Sequence, residues 1–171
     1  ALAGLTVAGL TMAAADLGPV AGPQGLGTPV IIGQDVLVRT ITDIDFLRRR
    51  IAFRRPEGYV RPAGAVAAPV RRNGRSLLAQ VVVEGHPLDV VVDTGANGVR
   101  ALTRQTAERT GRLDGRPLRP SESIVLGGVH QGFYMTVRRL GFGAREWLNI
   151  PAHVFPAPPT PGFPAGLLGV E

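Results

Sequence analysis

The chain contains no cysteine. That excludes a disulfide framework and any zinc site built on thiolates, and it leaves the compartment open. Aromatic residues are few, with one tryptophan and two tyrosines among 171 residues. The formal charge is +6 and sits on scattered arginines. Basic side chains without interleaved aromatics lack the signature of a nucleic-acid surface, so no nucleic-acid partner is expected. The three histidines, His86, His130 and His153, stand far apart and fit no ligand spacing such as H-E-x-x-H, so no metal and no cofactor is implied. No G-x-S-x-G elbow is present to seat a nucleophilic serine. Long helices are disfavoured as well, because 15 prolines and 23 glycines punctuate the chain into short strands and turns. What remains is 44% apolar, enough for a core, in a length that suits one ordinary domain or two small ones.

The most informative stretch is Leu88-Asp-Val-Val-Val-Asp93-Thr94-Gly95-Ala96-Asn97-Gly98. Val90 to Val92 are β-branched and read as a buried strand. The strand ends in an acid, a hydroxyl and a glycine, and glycine permits a tight turn with close backbone approach. One carboxylate is thereby expected at the end of a rigid strand, where backbone amides can point at it. Such a group suits a reaction in which a proton is held or shared at a fixed position. Asp-Thr-Gly is also ordinary turn chemistry, so the tripeptide gains meaning from its surroundings.

Those surroundings resemble the retropepsin-like aspartic proteases, in particular bacterial members with apolar-apolar-Asp-Thr-Gly-Ala. Leu77 to Glu84 and Leu88 to Asp93 read as two strands joined by Gly85-His86-Pro87. Leu102 to Gly111 reads as a short helix stopped by glycine. An apolar-apolar-Gly element recurs downstream at Leu167-Leu168-Gly169. The resemblance implies an all-β, retropepsin-like acid-protease barrel with one or two short helices, near 102 to 110 and 34 to 38. It implies catalytic roles for Asp93, Thr94 and Gly95, and substrate contacts from Ala96, Gly127 and Gly128. Glu122 to Val137, a hairpin with a glycine-rich tip, lies where the family carries the flap over its substrate cleft.

A weak internal repeat shapes the expected organisation. Gly33 matches Gly169 and Asp35 matches Glu171, both at an offset of 136. Leu5 to Gly9 matches Leu140 to Ala144 at an offset of 135, and a Pro/Gly-rich loop follows each copy. Residues 1–55 are therefore expected to be the C-terminal part of a first retropepsin-like unit. Residues 56–75 have linker composition, and residues 76–171 are expected to be the N-terminal part of a second unit. A permuted single domain is the alternative. Residues 1–15 have the apolar character of a signal peptide core but lack a basic segment before it. Relatives of this type are often exported, and only that resemblance points to an exported or periplasmic location.

The chemistry implied by the resemblance is hydrolysis of a peptide bond by water held between two aspartates. Like charges at close range cannot both ionise easily, so the pair shares a proton. The ionised member takes a proton from water and the protonated member polarises the scissile carbonyl. No second Asp-Thr-Gly or Asp-Ser-Gly occurs in the sequence. The second carboxylate must come from a homodimer partner or from a preceding unit. The expected partners are a peptide or protein substrate and a second retropepsin-like unit. The alternative reading is a non-catalytic module that binds peptides or mediates dimerisation. Asp43 and Asp45 share a strand face near several arginines and are read as surface ion-pair residues.

Overall fold

The computed structural model describes residues 6–22, 25, 27, 30–74, 76–97, 101–110, 114–125, 128–157 and 161–170. The chain divides into two units, Ala1–Ala65 and Val66–Glu171. Among the described residues no helix is long and apolar enough to cross a membrane.

In the first unit, residues 6–17 form no helix or strand. Helix α1 (Gly18–Ala21) carries proline in its first turn, where a missing N–H costs nothing. Helix α2 (Gln34–Leu37) buries Val36 and occupies the position expected for a helix at 34 to 38. Strands β1 (Ile41–Asp45) and β2 (Arg50–Arg54) pair antiparallel, with Ile44 opposite Ile51. Asp45 bonds Arg48 at 2.9 Å and Asp43 bonds Arg54 at 3.4 Å, the surface ion pairs the sequence implied. Gly166–Val170 is a strand between two neighbours, whereas residues 30–33 form none.

The second unit is one curled sheet of eight strands. They are β3 (Val70–Asn73), β4 (Ser76–Val83), β5 (His86–Asn97), β6 (Ala101–Thr103), β7 (Arg119–Val125), β8 (Gly128–Phe142), β9 (Arg145–Phe155) and β10 (Gly166–Val170). Their spatial order is β3-β4-β5-β10-β6-β9-β8-β7, and β4 also pairs with β8 through Val82–Gly141 and Val83–Leu140. That extra pairing bends the sheet back on itself, so the strands enclose a core. Alternation assigns the core face. Ala79, Val81 and Val83 of β4 are buried while Gln80 and Val82 are exposed. Val90, Leu102, Ala107, Met135, Val137, Leu140, Ala152, Val154 and Leu168 complete the apolar cluster. The all-β reading holds, with helices confined to short pieces.

Three local readings are corrected. The loop between β4 and β5 is Glu84-Gly85, with φ of 47° and 89°, and both central residues lie in the left-handed region that a tight two-residue hairpin requires. His86 and Pro87 belong to β5, opposite Val83 and Val82. The stretch expected as a linker from 56 to 75 ends in strand β3. Gly74, at φ 57°, follows the last pair of β3, Asn73 with Ser76, and breaks the linker-like composition where β3 folds against β4. The expected helix at 102 to 110 begins later, as α3 (Arg104–Arg109), because Leu102 and Thr103 are held in β6. Thr103 caps α3, its Oγ1 accepting from the Thr106 N–H at 3.2 Å.

A buried ion network ties the β4–β5 turn to β8. The Arg116 guanidinium donates to Glu84 Oε1 at 2.8 Å, to Asp114 Oδ1 and Oδ2 at 2.8 Å each, and to the Thr136 carbonyl at 2.8 Å. Glu84 Oε1 also accepts from the Arg138 N–H at 2.8 Å. The guanidinium beside Asp114 holds that carboxyl well below the usual carboxylate range.

Candidate active site

Strand β5 carries the Asp-Thr-Gly motif, and β10 lies parallel beside it. Val90, Val91 and Val92 pair with Gly166, Leu167 and Leu168, and pairing resumes at Asn97 with Val170. Between those pairs β5 has four residues, Asp93 to Ala96, and β10 has one, Gly169. The register therefore forces Asp93-Thr94-Gly95-Ala96 out of the ladder. The downstream apolar-apolar-Gly element is thus the direct neighbour of the motif. Within the extruded turn the Gly95 N–H donates to Asp93 Oδ1 at 2.9 Å, a local bond that fixes the carboxylate. Asp93 and Ala96 are half-buried, while Thr94 and Gly95 are exposed.

Gly166 sets how closely β10 approaches β6. A Cβ at this position would run into the Ala101 carbonyl oxygen and lie 3.2 Å from Leu102 Cα. Gly166→Ala is expected to cost about 1–3 kcal/mol, as overpacking against backbone does, read as a lower urea midpoint at unchanged slope.

Alternation and register also show which residues share the Asp93 face. Asp89 and Val91 precede Asp93 at steps of two, Val91 pairs with Leu167, Leu167 with Ala101, and Ala101 with His153. His153 in turn pairs with Tyr134, and β8 continues on that face through Gly132 and His130, opposite Ser121 and Ser123 of β7. The hairpin read as a flap is formed by β7 and β8, paired from Arg119–Tyr134 to Val125–Gly128. Gly128 lies in its last pair, and Gly127 lies outside the described residues. His86 and His130 are exposed, and no group of three or more metal-ligating side chains stands together among the described residues.

No motif in the sequence marks Ser121, Ser123, Gly132 and His153 as a group. His153 is 6% exposed, and its ring meets Phe155 edge-on at 4.9 Å and Tyr134 at 5.5 Å. Burial pushes its imidazole below the ordinary value. Its one signal in the sequence is the alternation of His153 with Phe155 in the otherwise apolar run Ile150-Pro-Ala-His-Val-Phe155.

A family profile described as aspartyl protease matches residues 79–171. No curated protein matches the chain. Among solved structures, it is similar to a retropepsin-like aspartic protease from Rickettsia conorii. The two are 21% identical, with a TM-score of 0.45, over 62% of this chain and 76% of that one.

Proposed function

The chain belongs to the aspartyl protease family, and from that premise we propose that it is an aspartic endopeptidase with Asp93 as one of two catalytic carboxylates. The observation that carries this reading is the extrusion of Asp93 opposite Gly169, with the Gly95 N–H on one carboxylate oxygen. A carboxylate fixed on a strand end, outside the ladder, is available to a water molecule and to a second carboxylate at once. The second aspartate comes from a dimer partner or from another retropepsin-like unit. Exposure of Thr94 and Gly95 supports this, because it leaves the tip of the turn open to a facing turn.

In the reaction the pair holds one proton between two oxygens that cannot both ionise easily. The ionised carboxylate takes a proton from water as its oxygen attacks the scissile carbonyl carbon. The protonated carboxyl donates to the carbonyl oxygen, and a tetrahedral intermediate forms. Its collapse breaks the C–N bond, and the leaving nitrogen takes a proton from the pair. Ala96 and Gly128 are assigned to substrate contact, as is Gly127, and the β7–β8 hairpin to covering the bound peptide. The reading is tested by incubating the chain with a mixed peptide library from about pH 3 to 7, the range in which carboxyls and histidine titrate. Products are identified by mass spectrometry and the oligomeric state is recorded. Defined internal cleavages are expected; intact peptides exposed to a verified dimer would remove the endopeptidase in favour of a peptide-binding module.

A further inference from the structure

The polar cluster at the root of the β7–β8 hairpin has no place in the hydrolytic step. Its centre is the His153 ring, which rests on Gly132. A Cβ on Gly132 would strike His153 Nε2, and would lie 2.9 Å from Cε1 and 2.7 Å from the Val154 carbonyl oxygen. Only a residue without a side chain lets β8 sit this close to the imidazole. Ser123 Oγ, from β7, lies 3.3 Å from His153 Nδ1 and 3.4 Å from Nε2. Ser121 Oγ is buried and has no hydrogen-bond partner. The ring thus touches both strands of the hairpin from a third strand, β9.

The seat suits a neutral ring. A neutral imidazole has one acceptor nitrogen, which the Ser123 hydroxyl can serve as donor, and one N–H. A protonated ring has two N–H donors and a full charge; the Ser123 hydroxyl can accept from one N–H, but the close neighbours Tyr134, Phe155 and Gly132 carry no negative charge to offset the other. Among the described residues of β6, β7, β8 and β9 that share this face by alternation, the titratable or charged groups are Arg119, His130 and Tyr134, with Arg138 and Arg145 further along β8 and β9. None is a carboxylate. Asp89 and Asp93 share the face but lie on β5, with β10 and β6 between. Glu122 and its partner Gln131 occupy the opposite face.

We propose that His153 is a positioning residue for the peptidase: its neutral imidazole seats the β7–β8 hairpin, and a second proton on the ring unseats it. The inference rests on the endopeptidase reading for its functional meaning, since the hairpin is the element assigned to cover the substrate. The direction in pH follows from burial. The ordinary imidazole value is 6.5 and burial lowers it in the seated state. Above 6.5 the ring is neutral whether the hairpin is seated or open, and the seat is at full strength. As the pH falls below that value the open state takes up a proton that the seated state resists, and the seat weakens. Cleavage therefore fails on the acid side for a reason separate from the aspartates.

The test is amide hydrogen exchange on the whole chain, as protection factors normalised to the intrinsic rate at each pH. Wild-type amides of β7 and of β8 up to Val137 are expected to lose protection by about tenfold or more between about pH 7 and pH 4.5. Those of β4 and β5 hold theirs, and His153→Phe shows no such loss in the hairpin. An unchanged wild-type hairpin, or the same loss in His153→Phe, overturns the proposal. Should His153→Phe fail to fold, histidine-labelled NMR of the wild type decides. The His153 ring is expected to titrate together with the hairpin amides, and titration without any change in them overturns the proposal. A chain that shows the switch and cuts no peptide keeps the positioning role and loses the peptidase. A chain that cuts peptides with an acid limb of kcat/KM unmoved in His153→Phe loses the positioning role alone.

Discussion

Asp93→Asn is expected to abolish peptidase activity while leaving the fold intact. Asparagine matches aspartate in shape, and its carbonyl oxygen can accept the Gly95 N–H that now reaches Asp93 Oδ1 at 2.9 Å. The extruded turn therefore keeps its local bond, and the register of β5 on β10 is untouched. What is lost is the capacity to take and return a proton. General acid–base groups contribute about 10²–10⁴-fold each, and removing one member of a pair that works as a unit disables both. A loss of about 10³-fold or more in kcat/KM is expected, with a stability change within about 1 kcal/mol, the size of one hydrogen bond. Asp93→Ala is the informative contrast. It removes the proton chemistry and the turn bond together, so its activity matches that of Asp93→Asn while its stability falls further. Parallel peptide assays and urea unfolding of the three chains separate the two roles.

The largest effect on stability is expected from Arg116→Ala. The Arg116 side chain is 7% exposed and that of Glu84 is 8% exposed. Truncation takes the Arg116 guanidinium from the Glu84 carboxylate, which keeps the Arg138 N–H, and breaking one side of such a buried pair costs up to about 3–5 kcal/mol. The damage is local as well as global. Glu84 stands at φ of 47° in the turn that launches β5, and the network fixes that turn against Thr136 and Arg138 of β8. Lysine is not expected to rescue the site, because a point charge cannot replace five donors arranged as a fork. Combining Arg116→Met with Glu84→Gln removes both charges and is expected to be less destabilising than Arg116→Ala. Urea midpoints of the four chains test this. Equal midpoints for Arg116→Ala and the wild type would show that the network contributes nothing net.

These two cases mark what the sequence could and could not disclose. Asp93 was legible because its neighbours in sequence are also its neighbours in structure: a β-branched run predicts the strand, and Asp-Thr-Gly predicts the turn. The hairpin of β7 and β8 was legible for the same reason, since its pairs are local. The extrusion of the motif was not, because it depends on the parallel register of β5 with the distant β10. The expected roles were read from an order of elements, whereas the geometry comes from the mismatch of four residues against one. Arg116 gave no signal, since its partners come from a turn, a loop and a strand far apart in the chain. Ser123 and His153 meet only because β8 separates their strands in the sheet. The start of α3 was misplaced because pairing of β6 with β9 and β10 overrides the helical preference of Leu102.

Every turnover is expected to need two aspartates, of which this chain would supply Asp93. The most direct measurement is specific peptidase activity against chain concentration, with the dimer fraction followed by sedimentation in the same samples. Any specific activity is expected to rise with the dimer fraction and to vanish at the dilute, monomeric limit. A monomer that cleaves peptides at a specific activity independent of concentration would contradict it.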